Sequence, residues 1–388
     1  MQGSIKSRTE LPEMFVLDIL SKLLVKSLTR FRCVCKPWSS SFETPYFITK
    51  HHQNNLKNNN LNLLLKLCHG DTHDDIHYFS QLSTEKDQNF RVRHNIHLPF
   101  FENFVHAPLV QGPCNGILCL VDPVVGHNVA LWNPSTREFK ILPQSTVQRP
   151  PGLEYTSFHC LGFGYDSQAD DFKVVIFVSN CFTWENEEGM SIYSHSINQV
   201  ELYSLKSDSW KEISYPGVHA LASTLFNNYV NGFIYWQIFG SDNLILSFDM
   251  VSEKFSTSPL PESGRSLEQY YLELLDFNGL LGVIFYPIEG LDKSFDLWVM
   301  NGSWTKQFSV ESVLGLERPL GFWKNGELFL ESSDQELVLF DLSIQELRNL
   351  GIHAYQKTMH ITTYVESLVP LNGRSEHEEC IIRRPDGE

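Results

Sequence analysis

The 388-residue sequence predicts a small N-terminal all-α module followed by an all-β propeller of about six blades, with room for a seventh. Three observations carry this expectation. The stretch Leu11–Trp38 is apolar at helical period. From Leu61 onward the period becomes that of strands, and one unit recurs: an apolar strand, a six-residue polar turn, a second strand. A small turn followed by another apolar strand precedes most copies of that unit, which makes about four strands per repeat.

Leu11–Trp38 reads as two helices. Pro12 suits a first helical turn, where its missing N–H costs nothing. Met14, Phe15, Leu17, Ile19, Leu20, Leu23 and Leu24 crowd more than one face of the first helix. Val25-Lys26 leaves the pattern, and Ser27 is a good N-cap for a second helix. Leu28, Phe31, Val34 and Cys35 form its apolar stripe; Pro37 stops it, and Trp38 follows. Fewer than forty residues cannot bury this much apolar surface alone. Either the helices pack on the rest of the chain, or an apolar face waits for a partner. Glu43–Phe47 predicts a short helix or turn, and the Asn-rich, aperiodic His51–Asn60 a linker. The expected division is a helical module over 8–50, a linker over 51–60, a propeller over 61–371 and a polar, disordered tail over 372–388.

Within the second region the hairpin unit is VALW–NPSTRE–FKIL at 129–142. It recurs at 200–213, 244–258 and 337–350. In all four, large residues sit seven apart: Trp132/Phe139, Tyr203/Trp210, Phe248/Phe255 and Phe340/Leu347. A fifth copy at 295–308 turns on Asn301-Gly302, the strongest hairpin signal. A weaker sixth lies within 77–92. The preceding turns are Asn115-Gly116, Asn231-Gly232, Asn278-Gly279 and Asn325-Gly326; in one unit 162–178 takes that place. The 71-residue gap between Trp132 and Tyr203 leaves room for an extra blade. Ile361–Leu371 follows the final hairpin and is placed to pair with the first blade, closing the ring and removing open edges.

Net charge is −16. Residues 1–50 hold eight Lys/Arg against four Asp/Glu, so they carry +4 and the rest carries −20. An acidic body argues against nucleic acid and anionic membrane, which require basic patches. It suits a basic protein partner. The eight cysteines make no CxxC pair or regular framework, as expected of buried free thiols in a reducing compartment. Met1–Glu10 has no signal-peptide pattern, and no apolar run reaches the roughly 18 residues that span a bilayer. The expectation is a soluble cytoplasmic protein.

Few constellations suggest chemistry. His69, His73 and His77 would form a metal stripe on a helix, but Gly70 interrupts and Ile76–Phe79 reads as strand, so no metal site is assigned. Asp166, Asp170 and Asp171 read as a hairpin turn. Glu185, Glu187 and Glu188 lie in the insertion-like loop 180–197 and are the candidate target-binding residues, since binding groups favour long loops on rigid scaffolds. Gly162-Phe163-Gly164 lacks the third glycine of a dinucleotide loop. No nucleophile elbow, HExxH or P-loop is present. No catalytic residue and no cofactor are assigned.

Leu11-Pro12, Ile19-Leu20, Leu23, Val25-Lys26-Ser27-Leu28, Arg30-Phe31, Val34-Cys35-Lys36 and Trp38 together resemble the F-box. One departure is Leu24, where plant F-boxes usually carry proline; leucine there is expected to lengthen the first helix slightly. Residues 129–143, 162–175 and the later copies resemble the plant F-box-associated domain. Within that family the sequence is most similar to the S-locus F-box proteins, over Phe31–Trp38, Val110–Leu120 and Tyr364–Leu371.

The resemblance implies a substrate receptor of a cullin–RING ubiquitin ligase. Leu11, Pro12, Ile19, Leu20, Leu23, Leu28, Phe31, Val34, Cys35 and Trp38 would serve a Skp-type adaptor, partly by contact and partly by packing among themselves. Cullin and RING-box protein would follow through the adaptor. The propeller would hold the target, and ubiquitin transfer would occur elsewhere in the assembly. The S-locus likeness implies a target class: secreted style ribonucleases, generally basic, taken up by pollen tubes and marked for degradation when non-self. Two other readings keep the same fold: a receptor for an unrelated target, and a propeller enzyme with ligands converging on the central channel.

Overall fold

Four short helices open the chain: α1 (Glu13–Leu20), α2 (Val25–Phe31), α3 (Lys36–Phe42) and α4 (Pro45–Lys57). The computed structural model describes residues 11–375 except 70–75, 86–87, 97, 99–107, 123–127, 186–190, 219–220, 223–226, 239–243, 291, 356 and 372–373. The helix bounds differ from the sequence expectation. Val25 and Lys26 begin α2 rather than leaving a helix, and Ser27 lies inside it. Leu24 is extended at φ −63°, ψ 147°, so it ends no helix and lengthens none. Pro37 does not stop a helix; it sits in the first turn of α3.

The segment 51–57, expected as linker, is the second half of α4. Its period is hidden because it buries polar groups in hydrogen bonds. His51 Nε2 donates to Leu23 O (2.9 Å), Asn54 Nδ2 to Ser21 Oγ (2.8 Å), and Asn55 Oδ1 accepts from Asn60 Nδ2 (2.9 Å). Thr44 caps α4, its Oγ1 accepting the Phe47 N–H, ahead of Pro45.

Six antiparallel sheets follow, each running from the central channel outward. The first contains β1 (Leu61–His69), β2 (Ile76–Leu82) and β3 (Val92–Ile96). The second is β4 (Leu109–Cys114), β5 (Ile117–Val121), β6 (Val129–Asn133) and β7 (Glu138–Ile141). The third is β8 (Tyr155–Asp166), β9 (Asp171–Glu185), β10 (Ser191–Ser204) and β11 (Ser209–Ile213). In the fourth the inner strand is split into β12 (Leu221–Ala222) and β13 (Tyr229–Val230), followed by β14 (Phe233–Ile238), β15 (Leu244–Asp249) and β16 (Lys254–Pro259). The fifth is β17 (Tyr270–Phe277), β18 (Leu280–Pro287), β19 (Asp292–Asn301) and β20 (Ser303–Leu314). The sixth is β21 (Leu316–Phe322), β22 (Leu328–Ser332), β23 (Glu336–Asp341) and β24 (Glu346–His353). Finally β25 (His360–Val365) returns to the first blade as its inner strand, pairing antiparallel with β1 from Leu61↔Val365 to Lys66↔His360. The ring closes as expected. A short β26 (Arg374–Ser375) adds a fifth strand beside β7.

The residues seven apart are cross-strand partners: Trp132↔Phe139, Tyr203↔Trp210, Phe248↔Phe255 and Phe340↔Leu347 are each directly opposed. Each pair fixes the register of an outer hairpin. The gap between Trp132 and Tyr203 holds no seventh blade. Strands of 12, 15 and 14 residues fill it.

In a blade of this topology, connections from first to second strand and from third to fourth emerge on one face of the ring. The other connections emerge on the opposite face. Asn115-Gly116, Asn231-Gly232 and Asn278-Gly279 turn on the first face, with positive φ at both residues. Asn301-Gly302 departs from this pattern, with positive φ at Gly302 only, and Asn325-Gly326 falls in a 3₁₀ turn. The helical module sits on that same face, described below as the near face.

The cores lie between neighbouring blades. Trp236 of blade four is fully buried, and its Nε1 donates to Leu161 O of blade three (3.2 Å). A Cβ on Gly162 would stand 2.4 Å from that indole. This glycine therefore serves blade packing. Lys173 joins the same blades by its ammonium, bound to Asp166 (2.6 Å), Glu253 (3.0 Å) and Met250 O (2.9 Å). Burial pushes the Asp166 carboxyl up, but Lys173 and two backbone N–H groups outweigh it and hold the group below its usual range.

Candidate functional site

Two surfaces matter: the exposed flank of the helices and the face of the ring away from them. The helices have their own core. Leu20, Val25, Leu28, Phe42 and Phe47 are buried together with Leu368. Val16, Leu17, Leu23, Phe31, Trp38 and Ile48 pack around them, half-buried. Phe31 and Trp38 rings lie 5.9 Å apart.

Leu20 (4% exposed) and Leu28 (0%) are therefore core residues with no free face. Pro12 is exposed, as are Leu11 (65%), Ile19 (55%) and Val34 (61%). Leu23, Phe31, Cys35 and Trp38 are half-buried. Sequence reasoning did not single out Met14 (72%) and Phe15 (61%) as contact residues. Phe15 and Ile19 stand at i, i+4 on α1, so they share one face, with Met14 beside it; Leu11 precedes the helix, two residues before its first turn. The signal was present in that spacing, but so many apolar residues on a short helix hid which ones faced out.

The module is seated on the near face by a strap. After β25 the chain runs over Glu366–Leu371, between helices and ring. Glu366 Oε2 accepts the Val25 N–H (2.7 Å) at the start of α2. Burial holds this carboxyl above its usual range, opposed by that N–H. Asn133 Nδ2 donates to Ser367 O (3.1 Å) and Val369 O (3.0 Å). Leu368 enters the helical core and Leu371 the core between blades two and three. His51 and His52 stand in this seam, and burial holds both imidazoles below their ordinary range. His52 and Leu56 of α4 also line a cavity of about 290 Å³ at the channel mouth, with Asn115, Asn227 and Asp276. Tyr364–Leu371, one of the stretches likened to S-locus proteins, is thus the closing strand's end and the strap.

The far face receives the β9–β10 hairpin, the longest in the ring. Glu185 ends β9 and pairs with Ser191; Glu187 and Glu188 lie outside the described residues. His73 also lies outside them, while His69 and His77 fall on strands β1 and β2, not on one helix. Asp166 is a turn residue as expected: its Oδ1 accepts the N–H groups of Gln168 and Ala169, both at 2.9 Å. Among the described residues six cysteines are free, four of them buried and Cys33 exposed. Among the described residues no helix is long and apolar enough to cross a membrane.

A helical module with an uncovered apolar stripe, strapped to one face of a six-bladed ring, defines a two-part interaction protein. Family comparison gives the parts their identity. The F-box domain matches residues 9–50, and the F-box associated beta propeller domain matches 64–370. The chain belongs to the F-box associated beta propeller family. It is 25% identical to F-box protein At3g07870 of Arabidopsis thaliana, over 92% of this chain and 91% of the relative. It is 28% identical to F-box protein CPR1 of Arabidopsis thaliana, over 92% of this chain and 88% of that one. Among solved structures it is similar to an oligogalacturonate lyase in complex with manganese, at 10% identity, with a TM-score of 0.38 and 73% and 71% of the two chains covered. A likeness at that level carries no functional argument.

Proposed function

We propose that this chain is the target receptor of a cullin–RING ubiquitin ligase. Its F-box takes a Skp-type adaptor, and its propeller holds the protein to be ubiquitinated. The observation that carries the reading is the exposed apolar group Met14, Phe15 and Ile19 on α1, with Leu11 just ahead of it, left open on a helical module whose core is otherwise complete. In this reading the chain supplies proximity and no catalytic group. Cullin and RING-box protein attach through the adaptor.

The target is held on the far face, since the near face carries the F-box. Strand β9 ends there at Glu185, and the −20 balance of residues 51–388 favours a basic partner. The finer form of the proposal is that the target is a secreted ribonuclease of the style, recognised in pollen tubes as non-self. The likeness of Phe31–Trp38, Val110–Leu120 and Tyr364–Leu371 to S-locus F-box proteins supports it.

The test of docking is co-purification with a Skp-type adaptor. Phe15→Glu and Ile19→Glu should each weaken capture by about 2 kcal/mol or more, roughly 30-fold, with unfolding midpoint unchanged. Full retention by the double variant would end the adaptor reading. Leu20→Glu is the contrasting variant: it places a charge in the core and should lower stability first. For the target, affinity purification from pollen should return a basic ribonuclease; a different protein would keep the receptor and replace its substrate.

A further inference from the structure

Helix α4 lies over the near face with one side toward the ring. Ile48, His52 and Leu56 recur on that side at i, i+4, i+8. Two cavities lie beneath them. The one of about 290 Å³ at the channel mouth has His52 and Leu56 in its wall. The second, of about 780 Å³, lies between α4, the strap and blade three, with Ile48 and His52 in its wall. His52 and Asn115 belong to both, so the cavities meet under the middle of α4. From Ile48 to Leu56 the helix advances roughly 12 Å.

Each cavity joins apolar wall to a carboxylate with an oxygen to spare. In the smaller, Leu56, Leu275 and Phe322 stand with Asp276, and no lysine or arginine is among the described lining residues. Leu56 is 53% exposed although it faces a cavity wall. Asp276 Oδ1 accepts the Gly279 N–H (2.7 Å), which leaves Oδ2 open among the described residues. In the larger, Ile48, Phe172 and Leu205 stand with Glu43, Asp170 and Asp171. Asp171 is taken up inside its own hairpin by the Lys206 N–H and Ser204 Oγ, and Glu43 has Arg32 at 3.8 Å. Asp170 Oδ1 accepts the Tyr165 hydroxyl, which leaves Oδ2 open among the described residues. Lys206 also lines this cavity, but its ammonium donates to Ala169 O (2.8 Å). At the junction one ring nitrogen of His52 donates to Glu366 O, and Nδ1 is buried with no hydrogen-bond partner. With the proton on the other nitrogen, Nδ1 is an acceptor, and a buried acceptor without a donor is rare.

We propose that this cleft binds an aliphatic polyamine: a triamine laid under α4, one terminal ammonium on Asp170, the other on Asp276, the methylenes along Ile48 and Leu56. Acceptors stand at both ends and at the middle, where an internal amine supplies the donor that His52 lacks. Binding sites form between structural units, with apolar walls and a few placed polar groups, and this cleft has that make-up. A monoamine reaches one end only. The bound triamine ties α4 to blades three and five and so stiffens the seat of the helical module.

The full chain would be titrated calorimetrically with spermidine at physiological ionic strength, with butylamine and magnesium chloride as comparisons. Spermidine should bind one saturable site, and butylamine should bind at least tenfold more weakly. Asp170→Asn and Asp276→Asn should each weaken spermidine about tenfold, as loss of a charged hydrogen bond requires. Asparagine still accepts from Tyr165 and Gly279, and it tolerates the φ of +53° at Asp170, so both variants should keep the parent melting temperature. Leu56→Arg, at an exposed position, sets a cation in the smaller cavity and should abolish binding with the fold intact. Glu268→Gln, exposed on the far face, should leave affinity unchanged. Absence of a saturable site would overturn the proposal. So would magnesium matching spermidine, which marks diffuse attraction to an acidic protein, or a loss confined to one of the two aspartates, which denies the bridge.

Discussion

Asn115, Asn231 and Asn278 each precede a glycine in turns that read alike in sequence, yet one glycine bears a different load. A Cβ on Gly116 would stand 2.5 Å from Val365 O and 2.6 Å from Ser367 Cβ, whereas Gly232 and Gly279 have nothing within 4 Å. Gly232→Ala or Gly279→Ala should cost about 1 kcal/mol for the left-handed backbone. Gly116→Ala should cost about 2–4 kcal/mol, because the closing strand must also shift; denaturant midpoints of the three variants check the order. Leu24 gives the converse case. Its φ of −63° is the angle a proline ring imposes. Leu24→Pro should be neutral or stabilising by up to about 1 kcal/mol, read by thermal melting. That the family's proline position is occupied by leucine was legible in the sequence. That leucine keeps the proline's backbone there was not, because propensity alone carries an apolar run into a longer helix.

At the scale of elements, the third-to-fourth-strand turns share one device. Asn133, Asp249 and Asp341 accept backbone N–H groups two residues ahead, and Arg137, Glu253 and Gln345 follow with positive φ. Only the second-blade copy starts with asparagine among these three, and its amide also donates to the strap carbonyls of Ser367 and Val369. Asn133→Asp should therefore turn two donated bonds into repulsion and cost about 2–4 kcal/mol, while Asp249→Asn and Asp341→Asn should stay within about 0.5 kcal/mol. Equal effects in chemical denaturation would refute this division of labour. Strand pairs were legible because a residue and its partner seven places on are both large and apolar. Blade number was not, since three long strands and an extra blade occupy the same length of chain. Helix α4 escaped because His51, Asn54 and Asn55 satisfy neighbours through polar bonds, which leave no apolar period. Exposure within the helical module was half legible: the motif named Leu11, Ile19 and Val34 as well as Leu20 and Leu28, but only packing separates those that face out from those that hold the module together.

On the scale of the whole molecule, the seam between module and ring is sensitive to acid. Burial disfavours the charged form of His51 and His52, so each holds its proton less well folded than unfolded. The unfolded chain takes up protons near the ordinary value of about 6.5, and stability is lost as pH falls through that value. Glu366 runs the other way, its raised carboxyl favouring the fold as it gains a proton. His51→Asn should thus narrow the drop in melting temperature between pH 7 and 5, and an unchanged drop would assign it elsewhere. The closure of the ring has a consequence in time. The first blade lacks its inner strand until β25 has been synthesised, and Leu368 and Glu366, which finish the seat of the helices, emerge after that strand. A nascent chain still on the ribosome therefore carries an F-box motif without its finished seat. A chain stopped at Met359 should capture adaptor less well than the whole protein, so that translation itself withholds half-made receptors from the ligase.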